Sequence, residues 1–192
     1  MHPSDMCEHK KAYALCKECI ERDFAAKQAR DALPRTVSIM SGAPGSGKTT
    51  AVRKVLDEAA NDIFRGVSGL QYGTVAACSA DDYFMRDGEY KFDVKELGAA
   101  HAACFKQFIG FLQTGITHVF VHNTSIEAWE ISPYMLASAA FGYDATIHTL
   151  TVDPDVAFER NVHGVPLKTI QRMCDRIKNR RLPGYWKEVK VA

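Results

Sequence analysis

The chain has 192 residues, with 24 lysines and arginines against 23 aspartates and glutamates for a formal net charge of +1, and 46% of it is hydrophobic. That length suits one α/β domain plus a small appendage, with a core that needs no staples. The near-neutral balance excludes a general field that gathers nucleic acid, so any such attraction is local. The longest apolar runs fall far short of a membrane span and the first residues, Met1 to Cys7, hold no apolar signal region, which points to a cytosolic protein without membrane contact.

Residues 1–23 are polar and cysteine-rich, and they predict a separate small module. Cys7-x-His9 and Cys16-x-x-Cys19 place four soft or borderline ligands close together, a Cys₃His set suited to one tetrahedral Zn²⁺ in a zinc-knuckle-like arrangement. So short a segment buries little apolar surface, and the metal would supply most of its folding energy. The single residue between Cys7 and His9 departs from standard finger spacing, which leaves a cysteine-containing tail as the other reading. Cys78, Cys104 and Cys174 are scattered and read as small buried residues. Residues 24–35 predict a linker helix that stops at Pro34. The main domain then runs over 36–192.

Within it, Thr36 to Met40 predicts a strand and Lys48 to Ala60 a helix, with Gly42-Ala43-Pro44-Gly45-Ser46-Gly47-Lys48-Thr49-Thr50 at their junction. This is a Walker A loop. Its glycines let backbone N–H groups turn toward phosphates, Lys48 reaches the β- and γ-phosphates, and the Thr49 hydroxyl suits Mg²⁺. A second strand covers Thr74 to Cys78, a helix Val94 to Gln113, a strand His118 to His122, a helix Ile126 to Ala140 and a strand Ala145 to Leu150. This alternation implies an α/β three-layer sandwich with a parallel sheet, binding ligands at the strands' carboxyl ends. There the pair Asp81-Asp82 follows the second strand. Such carboxylates serve as a base for an attacking hydroxyl or hold a water on Mg²⁺, or else form a helix N-cap. From 160 to 181 runs a segment whose Lys168, Arg172, Arg176 and Arg180 recur at i, i+4 spacing. They would face phosphates, a nucleic-acid backbone or, more simply, solvent. Tyr83, Phe84 and Tyr90 offer either stacking or core packing.

Gly42 to Thr50, Ser79 to Phe84, Tyr90-Lys91-Phe92-Asp93 with Leu97-Gly98 and His101, His122-Asn123-Thr124 with Trp129-Glu130, and Arg160 to Pro166 together resemble the polynucleotide-kinase-like P-loop kinases of the AAA-type ATP-binding domain family. The resemblance implies an ATP- and Mg²⁺-dependent kinase whose acceptor is a DNA or RNA 5′-hydroxyl. It further implies Asp81 as general base, Lys48 and Arg160 as catalytic cations with Arg160 at the start of a lid, and Asp82, Asn123 and Thr124 as substrate contacts. Two positions depart from the family pattern: His163 stands where a second lid arginine is typical, and His122 where an acid precedes Asn-Thr. His122 reads first as a core or edge histidine. Two alternatives stay open: a kinase for a sugar or nucleotide-like alcohol, and an ATP-binding nucleic-acid or protein interaction module without transfer activity.

Overall fold

The computed structural model describes residues 16–22, 24, 34–65 and 74–191. The chain divides into two compact units, Met1–Pro34 and Arg35–Ala192. In the first, residues 17–22 are helical, and Cys16 and Cys19 are both buried. Most of the expected linker helix lies outside the described residues.

The second unit opens with β1 (Thr36–Ser41), where buried and half-buried residues alternate before a fully buried end. Helix α1 (Lys48–Arg65) runs further than its apolar pattern predicts. Then come β2 (Val75–Cys78), a 3₁₀ turn (Ala80–Phe84), the short antiparallel hairpin β3 (Met85–Arg86) and β4 (Glu89–Tyr90), and a second 3₁₀ turn (Val94–Glu96) that feeds α2 (Leu97–Gln113). The rest is β5 (His118–Val121), α3 (Ala128–Ala140), β6 (Asp144–Leu150), α4 (Pro154–Glu159), α5 (Leu167–Asn179) and β7 (Lys187–Val191).

The main sheet is parallel throughout, in the order β2-β5-β1-β6-β7. Its core face carries Val37, Ile39, Cys78, Val119, Val121 and Ile147, which α2 covers with Cys104, Phe108 and Leu112 and α3 with Ile131 and Tyr134. On the opposite face Ala51, Val52 and Val55 of α1 lie by Ser38, Met40 and Phe120. From β1 the chain crosses through α1 to β2 on one side, and from β5 it crosses back over β1 through α3 to β6 on the other, so the adjacent ends of β1 and β5 form the crevice in which open α/β sheets bind ligands. Strand β7 has no counterpart in the sequence reading. It is an exposed edge strand reading Lys-Glu-Val-Lys-Val, and its charges suit an edge that must not pair with another chain.

Candidate active site

The loop between β1 and α1 is shaped by close backbone approaches. Gly42 N–H donates to Thr124 O at 2.9 Å, tying the loop to the end of β5. Gly45 has φ +78°, and a Cβ there would stand 1.9 Å from Ala157 O of α4; only glycine fits against that helix. Gly47 has φ +93° with open space around it, leaving a concave backbone of the kind that cradles anions. Lys48 is 7% exposed, and its Nζ donates to Gly42 O at 2.7 Å and Ala43 O at 2.9 Å. Burial lowers its pKa to about 8, with the Asp81 charge pulling the other way. Among the described residues no carboxylate pairs with it at salt-bridge distance, so a buried ammonium faces only neutral acceptors. Such a group calls for an anion. Thr49 is exposed in the first turn of α1, and its hydroxyl is a hard oxygen of the kind that Mg²⁺ accepts as a ligand.

The acidic pair divides into two roles. Ser79 caps the 3₁₀ turn, its hydroxyl accepting from Asp81 N at 3.2 Å, while Asp82 Oδ2 accepts from Ser79 N at 3.0 Å. Asp82 is therefore the capping acid, with its Oδ2 turned back on its own turn. Both acids are exposed, and Asp81 is the one whose carboxylate takes no part in the cap. Its Oδ1 accepts from the Tyr90 hydroxyl at 3.1 Å and its Oδ2 lies 4.0 Å from His163 Nε2. The Tyr90 and His163 rings lie 4.5 Å apart. Burial, the Asp81 charge and this hydrogen bond push the Tyr90 hydroxyl up to about 12, so it stays a donor at any physiological pH.

Residues 37–164 match the AAA_33 family of AAA domains. The chain belongs to this AAA domain family. It is 29% identical over 145 residues to human NEDD4-binding protein 2, covering 71% of this chain and 7% of that protein, and 23% identical over 175 residues to human YLP motif-containing protein 1, covering 80% and 8%. It thus spans less than a tenth of either relative. Among solved structures it is similar to a chain of the Pnkp1/Rnl/Hen1 RNA repair complex, with TM-score 0.57 at 14% identity, covering 76% of this chain and 44% of that one. A putative kinase from Chloroflexus aurantiacus gives TM-score 0.52 at 16% identity, with 82% and 87% covered. AvrRxo1-ORF1:-ORF2 with ATP gives 0.52 at 15%, with 84% and 56% covered. The architecture is a P-loop kinase-like fold with a central parallel sheet.

The remaining expected residues of this AAA domain separate by environment. Arg160 caps the C-terminus of α4, one turn beyond the Ala157 carbonyl that abuts Gly45, and its side chain is exposed. Contact between α4 and the loop thus brings the backbone of Arg160 to within one helical turn of that contact. Asn123, expected as a substrate contact, is buried and its amide is hydrogen-bonded inside the core. Asn123 Oδ1 accepts from Ala80 N at 2.7 Å and Nδ2 donates to Tyr134 Oη at 3.2 Å, so it fixes the acidic turn to α3. Thr124 is half-buried and contributes its carbonyl to Gly42.

The basic stripe is corrected. Arg180 is 4% exposed in its side chain. It donates to Ser41 Oγ, Ser125 O, Ile126 O, Thr149 Oγ1 and Glu188 Oε1. It locks the ends of β1, β6 and β7 behind the loop. Burial would raise the Glu188 carboxyl, but the hydrogen bonds from Thr149 and Arg180 and the Arg180 charge hold it below its ordinary value. Arg176 pairs with Glu127 at 2.7 Å, leaving Lys168 and Arg172 exposed on α5.

Neither Tyr90 nor His163 is tied to Asp81 by the sequence alone, because contacts across nine and eighty-two residues carry no local signal. In the first unit, Cys16 Sγ lies 3.3 Å from Glu18 Oε2, while Cys7 and His9 lie outside the described residues. Among the described residues no cluster of three His, Cys, Asp or Glu side chains is placed to hold a metal, so the zinc expectation gains no support there. No described helix is long and apolar enough to cross a membrane.

Proposed function

We propose that this AAA domain is a Mg²⁺-ATP-dependent kinase that moves the γ-phosphoryl group to a hydroxyl, with a nucleic-acid 5′-hydroxyl as acceptor. The observation that carries this reading is the unequal use of the acid pair. Asp82 satisfies the turn, and that frees Asp81, which is held by Tyr90 beside the phosphate loop. A turn alone needs one acid.

The geometry supports the following chemistry. The Asp81 carboxylate takes the acceptor's proton as its oxygen attacks the γ-phosphorus; the bond to the β-bridging oxygen breaks and ADP leaves with that electron pair. Lys48 and the loop amides offset the β/γ charge from a largely water-excluded position, and Arg160 approaches from α4 to offset charge on the transferred group. Thr49 would hold Mg²⁺, which supplies further charge neutralisation on the phosphates. Asp82 and Asn123 act through the backbone of the acidic turn, and Thr124 through the loop.

A kinase for a small alcohol is the second reading. The broken stripe favours it, since Arg180 is buried and Arg176 paired. Incubation with γ-labelled ATP and a panel of 5′-hydroxyl DNA, 5′-hydroxyl RNA, nucleosides and sugars decides between them. Label on a sugar or nucleoside alone overturns the nucleic-acid acceptor, and label on none, with ATP bound, leaves an ATP-binding interaction module. For the first unit, Cys7, His9, Cys16 and Cys19 remain the proposed Zn²⁺ set, tested by elemental analysis of intact protein and of a form lacking residues 1–23.

A further inference from the structure

The strand beside β1 ends in a histidine that has no hydrogen-bond partner at one buried nitrogen. In the parallel register Val121 of β5 lies between Ile39 of β1 and Cys78 of β2. The next residue, His122, donates its backbone N–H to Cys78 O at 3.1 Å, and so sits at the carboxyl edge with the phosphate loop on one side and the acidic turn on the other. Its Nδ1 is buried without a hydrogen bond, a condition that costs about 1–3 kcal/mol unless a partner arrives. Burial lowers the pKa of the ring, and the charged groups that act on it are Asp82 and Asp81, which raise it, and Lys48 and Arg53, which lower it. The same turn holds a non-glycine residue in the left-handed region, Ser125 at φ 43°, and Ser125 Oγ is likewise buried without a partner. Backbone strain and unmet polar atoms in one short segment mark a site built for something else.

P-loop enzymes share Mg²⁺ between the loop hydroxyl and an acid on a second element. Here the strand order β2-β5-β1 puts both acids, Asp81 and Asp82, one strand further out, and His122 alone ends the strand adjacent to the loop. We propose that His122 is a positioning residue for the Mg²⁺-nucleotide, its Nδ1 accepting a hydrogen bond from a water on the ion held by Thr49. The ion is then held on this side through water and not by a directly bonded carboxylate, so an acid at position 122 strengthens its binding.

The inference rests on the phosphate loop binding Mg²⁺-nucleotide, and the test keeps the two apart. ATP binding is measured by calorimetry across a Mg²⁺ series and in chelator, for the unmodified protein and for His122→Ala, His122→Asn, His122→Asp and Lys48→Ala. His122→Ala is expected to raise the half-saturating Mg²⁺ about tenfold while leaving affinity in chelator unchanged. His122→Asn, which keeps an acceptor near the Nδ1 position, should restore most of that loss and guards against a folding defect in the alanine form. His122→Asp should lower the half-saturating Mg²⁺ below that of the unmodified protein. Identical Mg²⁺ dependence in all four chains with residue 48 intact overturns the proposal and returns His122 to a structural role, as does an equal loss of affinity with and without Mg²⁺. Unchanged ATP binding in Lys48→Ala would instead remove the loop assignment itself.

Discussion

The Tyr90 hydroxyl donates to Asp81 Oδ1 at 3.1 Å while its ring rests on that of His163 at 4.5 Å. One tyrosine therefore aims the exposed carboxylate and touches the segment that follows Arg160. Removing the hydroxyl alone separates the two contacts. Tyr90→Phe should keep the ring contact and lower kcat by about tenfold, the value of one hydrogen bond to a charged group, with the KM for ATP unchanged. Asp81→Asn should lower it by about 10²–10⁴. Rapid-quench turnover with saturating ATP checks both, and a Tyr90→Phe effect confined to KM would mean that Tyr90 holds substrate and not the base.

Asp82 predicts a different signature. Because its carboxylate caps Ser79 N–H at 3.0 Å, Asp82→Ala should cost about 0.5–2 kcal/mol of folding stability and reduce turnover less than Asp81→Asn. Urea unfolding measures the first and the labelling assay the second. A stable Asp82→Ala protein without activity would exchange the roles of the two acids.

Much of this site can be read locally and some of it cannot. The phosphate loop and Thr49 announce themselves because glycine, lysine and hydroxyl positions are fixed by backbone geometry within nine residues. Four strands of the sheet are legible as well, and β7 is not, because it lacks an apolar period, being a charged edge. Arg180 shows why spacing misleads. Its i, i+4 relation to Arg176 puts it on the stripe, yet α5 ends at Asn179 and the chain turns to extended backbone at Arg180, which swings the guanidinium inward to acceptors as much as 139 residues away in sequence. Asn123 is similar, its partner Ala80 lying on another strand's end.

The contrast between Arg180 and Arg176 is measurable. Arg180→Ala strands Ser41, Thr149 and the half-buried Glu188 without their cation, and should cost about 3–5 kcal/mol. Arg176→Ala removes an exposed pair with Glu127 and should cost about 0–1 kcal/mol. Thermal and urea unfolding of the two variants give the comparison directly. Equal losses would place Arg180 at the surface.

Lys48 sets a pH limit on nucleotide binding. Its ammonium titrates near 8 in the folded chain against an ordinary 10.5, so the nucleotide-free loop loses its charge as pH rises through 8, and a bound phosphate restores it. ATP affinity should fall about tenfold per pH unit from about 8 upward until the bound complex itself titrates, with one proton taken up on binding in that window. Folding stability without nucleotide moves the other way: between about 8 and 10.5 the unfolded chain holds a proton that the folded chain has released, so the Lys48 contribution makes stability rise with pH. Calorimetry in two buffers of different ionisation enthalpy reads the proton uptake. No uptake at pH 9 would show that the amine stays charged.

The acceptor can be identified from salt. With Arg180 buried and Arg176 paired, Lys168 and Arg172 are the stripe's cations left exposed without an ion pair among the described residues. Single-stranded nucleic acid held by about two such phosphate contacts should lose about sevenfold in affinity between about 50 and 200 mM salt, from a slope near −0.7 per contact. A small alcohol carries no such counterions, and its KM should stay level once ATP is saturating. Lys168→Ala with Arg172→Ala should flatten the profile if the stripe supplies those contacts, while a slope that survives the double change moves the nucleic-acid contact to cations elsewhere in the domain. A level profile in the unmodified protein assigns the Asp81 site to a small hydroxyl substrate.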